Sequence, residues 1–366
     1  MCPRDGPPGW LPLSESPERH PAGADCQEDQ TVAARRAVVA PTRQENRALR
    51  IVFYGTPSFA ATTLDRLLAS AHDVVAVVTQ PDRPRGRGRR MFPSAVKELA
   101  AAKELLVLQP ERLTDETFRA RLTACEHDLA VVAAYGRLLP EWLLGACAHG
   151  AINVHASLLP KWRGAAPVHR AIMAGETETG VTIIQLVKEM DAGPMLARRA
   201  RPIEPSETSS AVEAALAEIG ADLLVDTVDR IAAGTAVFEE QDHGLATLAP
   251  RLTKADGVLD WRRPAEAIHN QVRGLQPWPH ASAALDGKRY LIHRTTLVMP
   301  PSDGSSPAEP PGTIVEAHLD SLIVAAGDDH SVAIHELQPE GGSRLSARAF
   351  LAGRPWRPGV RFDLPV

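Results

Sequence analysis

Short apolar runs alternate with amphipathic stretches between residues 50 and 136. Runs such as "RIVFYGT", "DVVAVVTQ" and "DLAVVAAYG" do not alternate apolar with polar positions, which is typical of strands buried on both faces. The stretches between them, such as "PSFAATTLDRLLASA" and "TDETFRARLTAC", repeat apolar residues at helical spacing. Strands that alternate with helices predict an α/β fold with a Rossmann-like, doubly wound parallel sheet.

The pattern changes after residue 235. A polar stretch containing glycine predicts a linker over residues 236–252. Short runs bounded by turn signals follow, such as "ASAALDGKRYLIHRTTLV" and "HSVAIHELQP", and they predict a small β-barrel. We therefore expect an α/β catalytic domain over residues 49–235 and a β-barrel domain over residues 253–366.

Residues 1–48 carry no sustained apolar periodicity. Proline, glycine and charged residues are frequent, and residues 1–50 contain seven basic and seven acidic side chains. This composition predicts a disordered N-terminal extension. The stretch lacks the apolar core of a signal peptide, and its acidic residues are atypical of an organellar transit peptide.

Composition narrows the class of protein. The 366 residues carry a net charge of −5 and 44% hydrophobic side chains, enough to bury two cores. No apolar run approaches the ~18 residues of a membrane span, so we expect no membrane partner. The four cysteines form no CxxC pair, which argues against a zinc site or a disulfide framework. We expect a cytoplasmic protein without a bound metal.

Three polar side chains stand where apolar runs end. Asn153 and His155 lie two positions apart in "GAINVHASLLP", so they project from one face of a strand. Asp191 follows the run "VTIIQLV". Ligands of open α/β sheets bind beyond the carboxyl ends of strands. An amide and an imidazole can donate to an oxyanion, and a carboxylate can orient the imidazole or accept a proton, so the set predicts acyl-group transfer.

Other functions are disfavoured by what their motifs require. "GTPSFA", after the first strand, lacks the GxGxxG fingerprint of a dinucleotide-binding dehydrogenase. Ser157 does not lie in a GxSxG elbow, which disfavours a serine hydrolase. An RNA-binding protein without enzymatic activity would have no need for the Asn153, His155 and Asp191 set.

The chain resembles the methionyl-tRNA formyltransferase family from about residue 49 to its C-terminus. The resemblance rests on "GTPSFA", "TQPDRPRGRG", "VVAAYGRLLP", "GAINVHASLLPKWRGAAPVHRAIMAGETETGVTI" and "MDAGPML". Asn153, His155, "SLLP" and Asp191 are shared with folate-dependent formyltransferases as a whole. They are therefore specific for formyl transfer and less so for the acceptor.

This resemblance implies that 10-formyltetrahydrofolate is the co-substrate and a primary amine the acceptor. It implies that Asn153 and His155 donate to the oxyanion, and that Asp191 acts either as base or as orienting group. Lys161 and Arg163 either meet the folate tail or a phosphate, or are solvated charges. The folate is expected against four consecutive residues: Ser157, Leu158, Leu159 and Pro160.

A cationic loop indicates the acceptor. "PDRPRGRGRR" places five arginines within ten residues. In the family the matching insertion enters the acceptor stem of initiator tRNA, which implies contacts from Arg85, Arg87 and Arg89, with Arg87 foremost. Arginine pairs with phosphates and stacks on unpaired bases. The alternative is a solvated charge run.

The C-terminal region fits the same acceptor. The family's C-terminal domain is an OB-like barrel that grips the tRNA, and barrels of this class commonly bind nucleic acid. Residues 251–302 carry eight Lys or Arg against four acids, while residues 303–366 carry five against nine, so the first part is expected to face RNA. Trp278 in "VRGLQPWPHA" either contacts RNA or belongs to the core. We expect methionyl initiator tRNA as the partner and a monomeric protein.

Related formyltransferases are the main alternatives. Enzymes that formylate an amino sugar nucleotide or glycinamide ribonucleotide, or that hydrolyse formyltetrahydrofolate, keep the same three polar residues. They are not expected to combine the arginine-glycine loop with this C-terminal barrel.

Overall fold

The computed structural model describes five stretches of the chain, residues 47–85, 90–299, 309–317, 320–354 and 356–365. Of Arg85 and Arg90 only the backbone is described. Most of the predicted N-terminal extension (residues 1–46), together with Arg87 and Arg89 of the cationic loop, lies outside these stretches.

The described residues include the alternating strands and helices predicted between residues 50 and 136. The strands are β1 (Arg50–Gly55), β2 (Asp73–Val78), β3 (Arg83–Arg85), β4 (Arg90–Phe92), β5 (Val107–Leu108), β6 (Leu129–Ala133), β7 (Ala151–His155), β8 (Arg163–Gly164), β9 (Glu178–Gln185), β10 (Met195–Pro202), β11 (Leu248–Ala249), β12 (Ala281–Leu285), β13 (Lys288–Val298), β14 (Ile314–Ala317), β15 (Leu322–Ala325), β16 (Ser331–Pro339) and β17 (Leu345–Ser346). The helices are α1 (Ser58–Leu68), α2 (Ala95–Ala102), α3 (Glu116–Thr123), α4 (Glu141–Leu144), α5 (Pro167–Met173), α6 (Ser209–Ala232), α7 (Ala265–Gly274) and α8 (Ala347–Gly353).

The apolar runs form a seven-stranded sheet with the order β10-β9-β7-β6-β1-β2-β5. Successive residues of β1 enter different cores, Ile51 and Phe53 with residues of α1 and α6, and Val52 and Tyr54 with residues of α3. Strand side chains alternate between faces, so helices cover both faces of the sheet. This arrangement confirms the Rossmann-like α/β fold.

Two strands at one edge of this sheet run against the others. The five strands from β7 to β5 are parallel, whereas β9 is antiparallel to β7 and β10 is antiparallel to β9. Strand direction was not predictable here, because an unalternating apolar run looks the same in either orientation. The sheet is therefore mixed rather than wholly parallel.

Six antiparallel strands make up the C-terminal sheet. Its order is β12-β13-β16-β15-β14, with β17 paired to β16. Within the described residues no ladder joins β12 to β14, so the sheet is OB-like without being a closed barrel. Its core includes Trp261, fully buried and stacked on Phe362 with 5.2 Å between ring centroids.

Polar side chains join the two sheets within one compact unit, residues 44–366. Arg170 of α5 lies 2.7 Å from a carboxylate oxygen of Asp256, and both side chains are mostly buried. Arg273 of α7 donates to the carbonyl oxygens of Glu204 and Glu207, next to the start of α6. Charge-assisted bonds of this kind are directional, so they fix how the C-terminal sheet packs on the α/β half.

The described residues contain neither a candidate membrane-spanning helix nor a candidate metal site. None of these helices has the length and apolar character to cross a membrane. In the same residues, no group of three or more His, Cys, Asp or Glu side chains is arranged to hold a metal ion.

Candidate active site

Asn153 and His155 lie on β7 between β6 and β9. In the sheet register Asn153 stands beside Val132 and Ile184, and His155 beside Thr182. Their two-residue separation puts both side chains on one face, as the sequence predicted. Asn153 is partly exposed, and its amide forms no hydrogen bond with another described residue. That amide is therefore free to bind a ligand.

His155 has a different partner at each ring nitrogen. The residue is 5% exposed, and Nε2 lies 3.0 Å from the carbonyl oxygen of Trp162. A carbonyl oxygen only accepts, so Nε2 carries the hydrogen. Nδ1 lies 3.6 Å from Oδ2 of Asp191, slightly longer than a direct hydrogen bond. Catalytic contacts of this length commonly shorten when substrate binds.

The Asp191 carboxylate is held in a turn rather than in a strand. Its side chain is 12% exposed, and Oδ2 accepts a hydrogen bond of 2.9 Å from the backbone N–H of Gly164. Asp191 has φ +51°, a left-handed conformation that aspartate tolerates. Gly164 has φ +126°, and a Cβ there would lie 2.6 Å from the carbonyl oxygen of Ala249. The backbone donor to Asp191 thus requires glycine.

The four residues predicted to hold folate differ in accessibility. Ser157 is fully buried, and its hydroxyl donates to the carbonyl oxygen of Lys161 at 2.7 Å. Leu159 is also buried, whereas Leu158 and Pro160 are partly exposed. A buried, bonded hydroxyl is not placed to attack a substrate, so Ser157 is not positioned as a nucleophile. Leu158 and Pro160 are the two side chains left accessible to a ligand.

Both cations that follow this segment have protein partners. Lys161 Nζ lies 3.1 Å from a carboxylate oxygen of Glu176. Arg163 donates to Oε1 of Gln241 at 2.6 Å and lies 2.9 Å from Nδ1 of His243. Arg163 is therefore part of the internal framework of the site, while Lys161 is half exposed.

The segment predicted as a linker lies along the site. β11 pairs with β8, and the backbone of Glu239 exchanges two hydrogen bonds with Met195 at the start of β10. Gln241, between these two pairings, donates to the carbonyl oxygen of Asp191 at 2.9 Å. A glutamine within a polar stretch has no periodicity or motif, so sequence reasoning missed it.

A second network missed from the sequence lies at the base of the cationic hairpin β3–β4. Asp82 accepts from Lys97 Nζ at 2.6 Å and from Gln109 Nε2 at 2.8 Å. These bonds, above all the one from Lys97, hold the pKa of the Asp82 carboxyl below its ordinary value. The hairpin is thereby tied to α2 and to the end of β5. The side chains of Arg85, Arg87 and Arg89 lie outside the described part.

An open cavity of about 370 Å³ lies beside the ends of β5 and β6. It is lined by residues 111–114 and 137–140. Arg137 donates to the carbonyl oxygens of Pro110 and Glu111, so it joins the two lining segments. β5, β6 and β7 belong to the parallel part of the sheet, so the cavity and His155 share the carboxyl edge. Because ligands of open α/β sheets bind beyond the carboxyl ends of strands, the position of residues 137–140 just after β6 could have indicated them from the sequence.

Comparison with known proteins gives the same family for both halves. The formyl transferase family model matches residues 49–228, and the formyl transferase C-terminal domain model matches residues 251–355. The methionyl-tRNA formyltransferase of Geobacter metallireducens is 43% identical over 313 residues, 86% of this chain and 98% of that protein. Its counterpart in Geotalea uraniireducens is 44% identical over 312 residues, 85% and 97% of the two chains.

Solved structures with the same fold are more distant in sequence. WlaRD, a sugar 3N-formyl transferase, superposes with a TM-score of 0.58 at 14% identity, over 79% of this chain and 97% of its own. HypX from Aquifex aeolicus in complex with tetrahydrofolic acid gives 0.58 at 16% identity, over 87% and 51%. At these identities the two structures show a shared fold alone. The identity to the curated relatives decides the family, and this chain belongs to the methionyl-tRNA formyltransferases.

Proposed function

We propose that this protein transfers the formyl group of 10-formyltetrahydrofolate to the amino group of methionyl initiator tRNA. The observation that carries the proposal is the convergence of Asn153, His155 and Asp191, in a chain 43% identical over 86% of its length to a methionyl-tRNA formyltransferase. Each of the three groups has a role in that reaction. Serving translation initiation, the enzyme acts in the cytoplasm.

Asn153 stabilises the charge that forms during the reaction. The amine nitrogen attacks the formyl carbon, and the formyl oxygen becomes an oxyanion in the tetrahedral intermediate. Asn153 donates its free amide hydrogen to that oxygen. Collapse of the intermediate breaks the bond between the carbon and N10 of the folate. The amine loses one proton and N10 gains one.

His155 and Asp191 assist the transfer of the proton that the amine loses. Nε2 of His155 is occupied by the Trp162 carbonyl, so Nδ1 is the ring nitrogen that accepts the amine proton or donates to the oxyanion. Asp191 faces Nδ1 and stabilises the imidazolium that forms. In this proposal the imidazole exchanges its proton through Nδ1 alone.

The folate occupies the carboxyl edge of the sheet. Leu158 and Pro160 provide accessible apolar contacts on one side. The cavity lined by residues 137–140 lies along the same edge and is of the size that holds part of a small ligand. No metal participates in the proposed reaction.

The tRNA contacts the cationic hairpin and the C-terminal sheet. Met91 and Phe92 of β4 are 60% and 45% exposed, an apolar surface next to arginines that suits stacking on unpaired bases. Trp278 is half exposed, so it is available to RNA rather than enclosed in the core. Arg85, Arg87 and Arg89 supply the cationic contacts in this proposal.

The test is to present the acceptors separately. Purified protein with 10-formyltetrahydrofolate receives methionyl initiator tRNA, an amino sugar nucleotide, glycinamide ribonucleotide or buffer alone, and the formylated product is identified by mass spectrometry. We expect formylmethionyl-tRNA, and at least 100-fold slower reaction in Asn153→Ala, roughly the cost of one oxyanion donor. Formylation of a small amine, or release of formate with buffer alone, would reject the proposed acceptor.

A further inference from the structure

Gln241 lies between two segments of the active site. Gln241 is buried, with 4% of the residue exposed. Oε1 accepts from Arg163, at 2.6 Å from Nη2 and 3.1 Å from Nε. Nε2 donates to the carbonyl oxygens of Asp191 at 2.9 Å and Gly193 at 2.7 Å. One buried carboxamide therefore bonds the loop after β7 and the turn between β9 and β10.

The partners fix the orientation of this carboxamide. Reversing it would place the oxygen against two carbonyl oxygens and the NH2 group against a guanidinium that only donates. Glutamine supplies one acceptor and two donors in this geometry, and all three are used. A glutamate at position 241 would keep the acceptor for Arg163 and turn a second acceptor towards two carbonyls.

Both bonded segments provide the contacts of His155. The carbonyl oxygen of Trp162 accepts from Nε2 at 3.0 Å, and the Asp191 carboxylate faces Nδ1 at 3.6 Å. The segment that contains Gln241 makes a second contact with the Trp162 segment, because Thr247 Oγ1 accepts a hydrogen bond of 2.9 Å from the backbone N–H of Trp162. The Trp162 carbonyl and the Asp191 carboxylate are thus positioned by segments other than β7, the strand that carries His155.

We infer that Gln241 is a positioning residue for formyl transfer, which holds the Trp162 carbonyl and the Asp191 carboxylate at the two ring nitrogens of His155. The inference deepens the proposed function and rests on it. It assigns residues 239–249, which the sequence predicted as linker, to one wall of the reaction centre. Gln241 acts through Asp191 and Trp162 and touches neither substrate.

The test is Gln241→Glu, which keeps the size of the side chain. We expect kcat to fall on the order of 10- to 100-fold, the cost of a misplaced catalytic group. The KM values for folate and for tRNA should stay within about twofold, because uniform substrate binding is unchanged. A second variant, Gln241→Met, removes all four hydrogen bonds without adding charge and should lower kcat in the same way.

Gln271 offers a matched control in the C-terminal half. It is also 4% exposed, its Nε2 donates to the carbonyl oxygens of Asp256 and Val258, and its Oε1 accepts from Arg263. Gln271→Glu therefore creates the same chemical conflict away from His155. We expect it to lower the thermal midpoint as much as Gln241→Glu does while kcat stays within about twofold of wild type.

Imidazole NMR supplies a readout that needs no turnover. The Nε2–H signal of His155, assigned by its loss in His155→Ala, should be present in wild type and in Gln271→Glu. Gln241→Glu should shift or broaden it, because the acceptor turned towards the Asp191 and Gly193 carbonyls moves the Asp191 carboxylate relative to Nδ1 of the same ring. If wild type fails to formylate tRNA and the NMR result holds, the proposed function fails and the positioning role stands.

Three results would overturn the inference. The first is an unchanged His155 signal in both Gln241 variants. The second is a kcat within twofold of wild type, or a loss confined to KM. The third is loss of the native fold in both Gln241 variants but not in Gln271→Glu, which would make Gln241 a residue of general stability instead.

Discussion

His155 is buried between two other segments of the chain, one around Trp162 and one around Asp191. Its Nε2–H is committed to the Trp162 carbonyl, and Nδ1 faces Asp191. Because the ring is 5% exposed, its tautomer is set by these protein groups rather than by water. The side chain is therefore prepared to exchange a proton through one nitrogen only.

Removing the imidazole should affect chemistry and not RNA binding. His155→Ala is expected to lower the single-turnover rate of formyl transfer by ~10²-fold, the cost of losing one group that stabilises the oxyanion. The Kd for methionyl-tRNA, measured by filter binding, should be nearly unchanged, because the ring acts on charge that exists only in the transition state. An equal loss of tRNA affinity would contradict the role.

His72 provides the matched control for that variant. It too is buried, accepting the backbone N–H of Leu49 at Nδ1 and contacting Asp229 through Nε2. His72→Ala should lower thermal stability and leave the single-turnover rate intact. A similar rate loss in both variants would trace the effect to general destabilisation.

Spacing and strand ends predict Asn153, His155 and Asp191 as site residues. Both positions on β7 follow from the period of two, and Asp191 follows from its place after an apolar run. Gln241 was not predictable, because its role depends on the path of a polar segment 78 residues after Arg163. No local sequence pattern indicates a contact between residues so far apart in the chain.

At the scale of elements, the cationic hairpin carries the acceptor hypothesis. Arg87→Ala is expected to reduce kcat/KM for methionyl-tRNA by roughly tenfold or more, since stacking on one base contributes ~1–3 kcal/mol. The defect should be smaller for a tRNA whose first acceptor base pair is already broken, because less opening is then required. Measurements at two salt concentrations separate phosphate contacts from stacking.

An exposed arginine on the edge strand β10 gives the control for charge alone. Arg198→Ala removes the same charge and should leave kcat/KM unchanged. If Arg87→Ala equals wild type on every tRNA, the loop is a solvated charge run and the acceptor is sought among small amines.

The ion pair between α5 and the C-terminal half predicts an acid-sensitive junction. Burial opposes ionisation of Asp256, but hydrogen bonds from Arg170 and Thr253 outweigh it and lower the pKa of the carboxyl. A lowered folded-state pKa stabilises the fold above the unfolded-state value of about 4 and ceases to do so as the pH falls through the folded-state value.

Asp256→Asn should therefore cost about 1 to 3 kcal/mol of unfolding free energy at pH 7, the range for a charged hydrogen bond. The difference from wild type should shrink as the pH falls from about 4 towards the lower folded-state pKa. Urea unfolding at pH 7 and pH 3 measures both values. Asp320→Asn, which breaks the exposed pair with Arg348, should change little at either pH. If the difference in unfolding free energy between wild type and Asp256→Asn did not depend on pH, the lowered pKa of Asp256 would not be its cause.

Most elements were predictable from periodicity, but their directions and partners were not. The runs that form β1, β2 and β6 are recognisable as buried strands because they lack alternation. The antiparallel course of β9 and β10 depends on connections whose geometry the sequence does not show. The same holds for the pairing of β11 with β8, which turns a predicted linker into part of the site.

Across the two halves of the protein, the proposed reaction centre and the C-terminal sheet are held in one arrangement. Arg170–Asp256 and the bonds of Arg273 connect the two halves, and residues 239–249 run from the site towards the C-terminal half. A fixed separation between the proposed catalytic edge and the proposed RNA-binding surface suits a large acceptor that must reach both. A small amine would need only the catalytic edge.

Partition of one labelled formyl group between competing acceptors shows in a single reaction whether the protein formylates tRNA or a small amine. Wild-type protein, 10-formyltetrahydrofolate carrying a labelled formyl group, and equal concentrations of methionyl initiator tRNA and an amino sugar nucleotide are combined in one vessel. We expect nearly all label to enter the tRNA fraction as formylmethionine, and Asn153→Ala to slow its appearance without changing the partition. Label accumulating in the sugar nucleotide, or as free formate, would contradict this expectation.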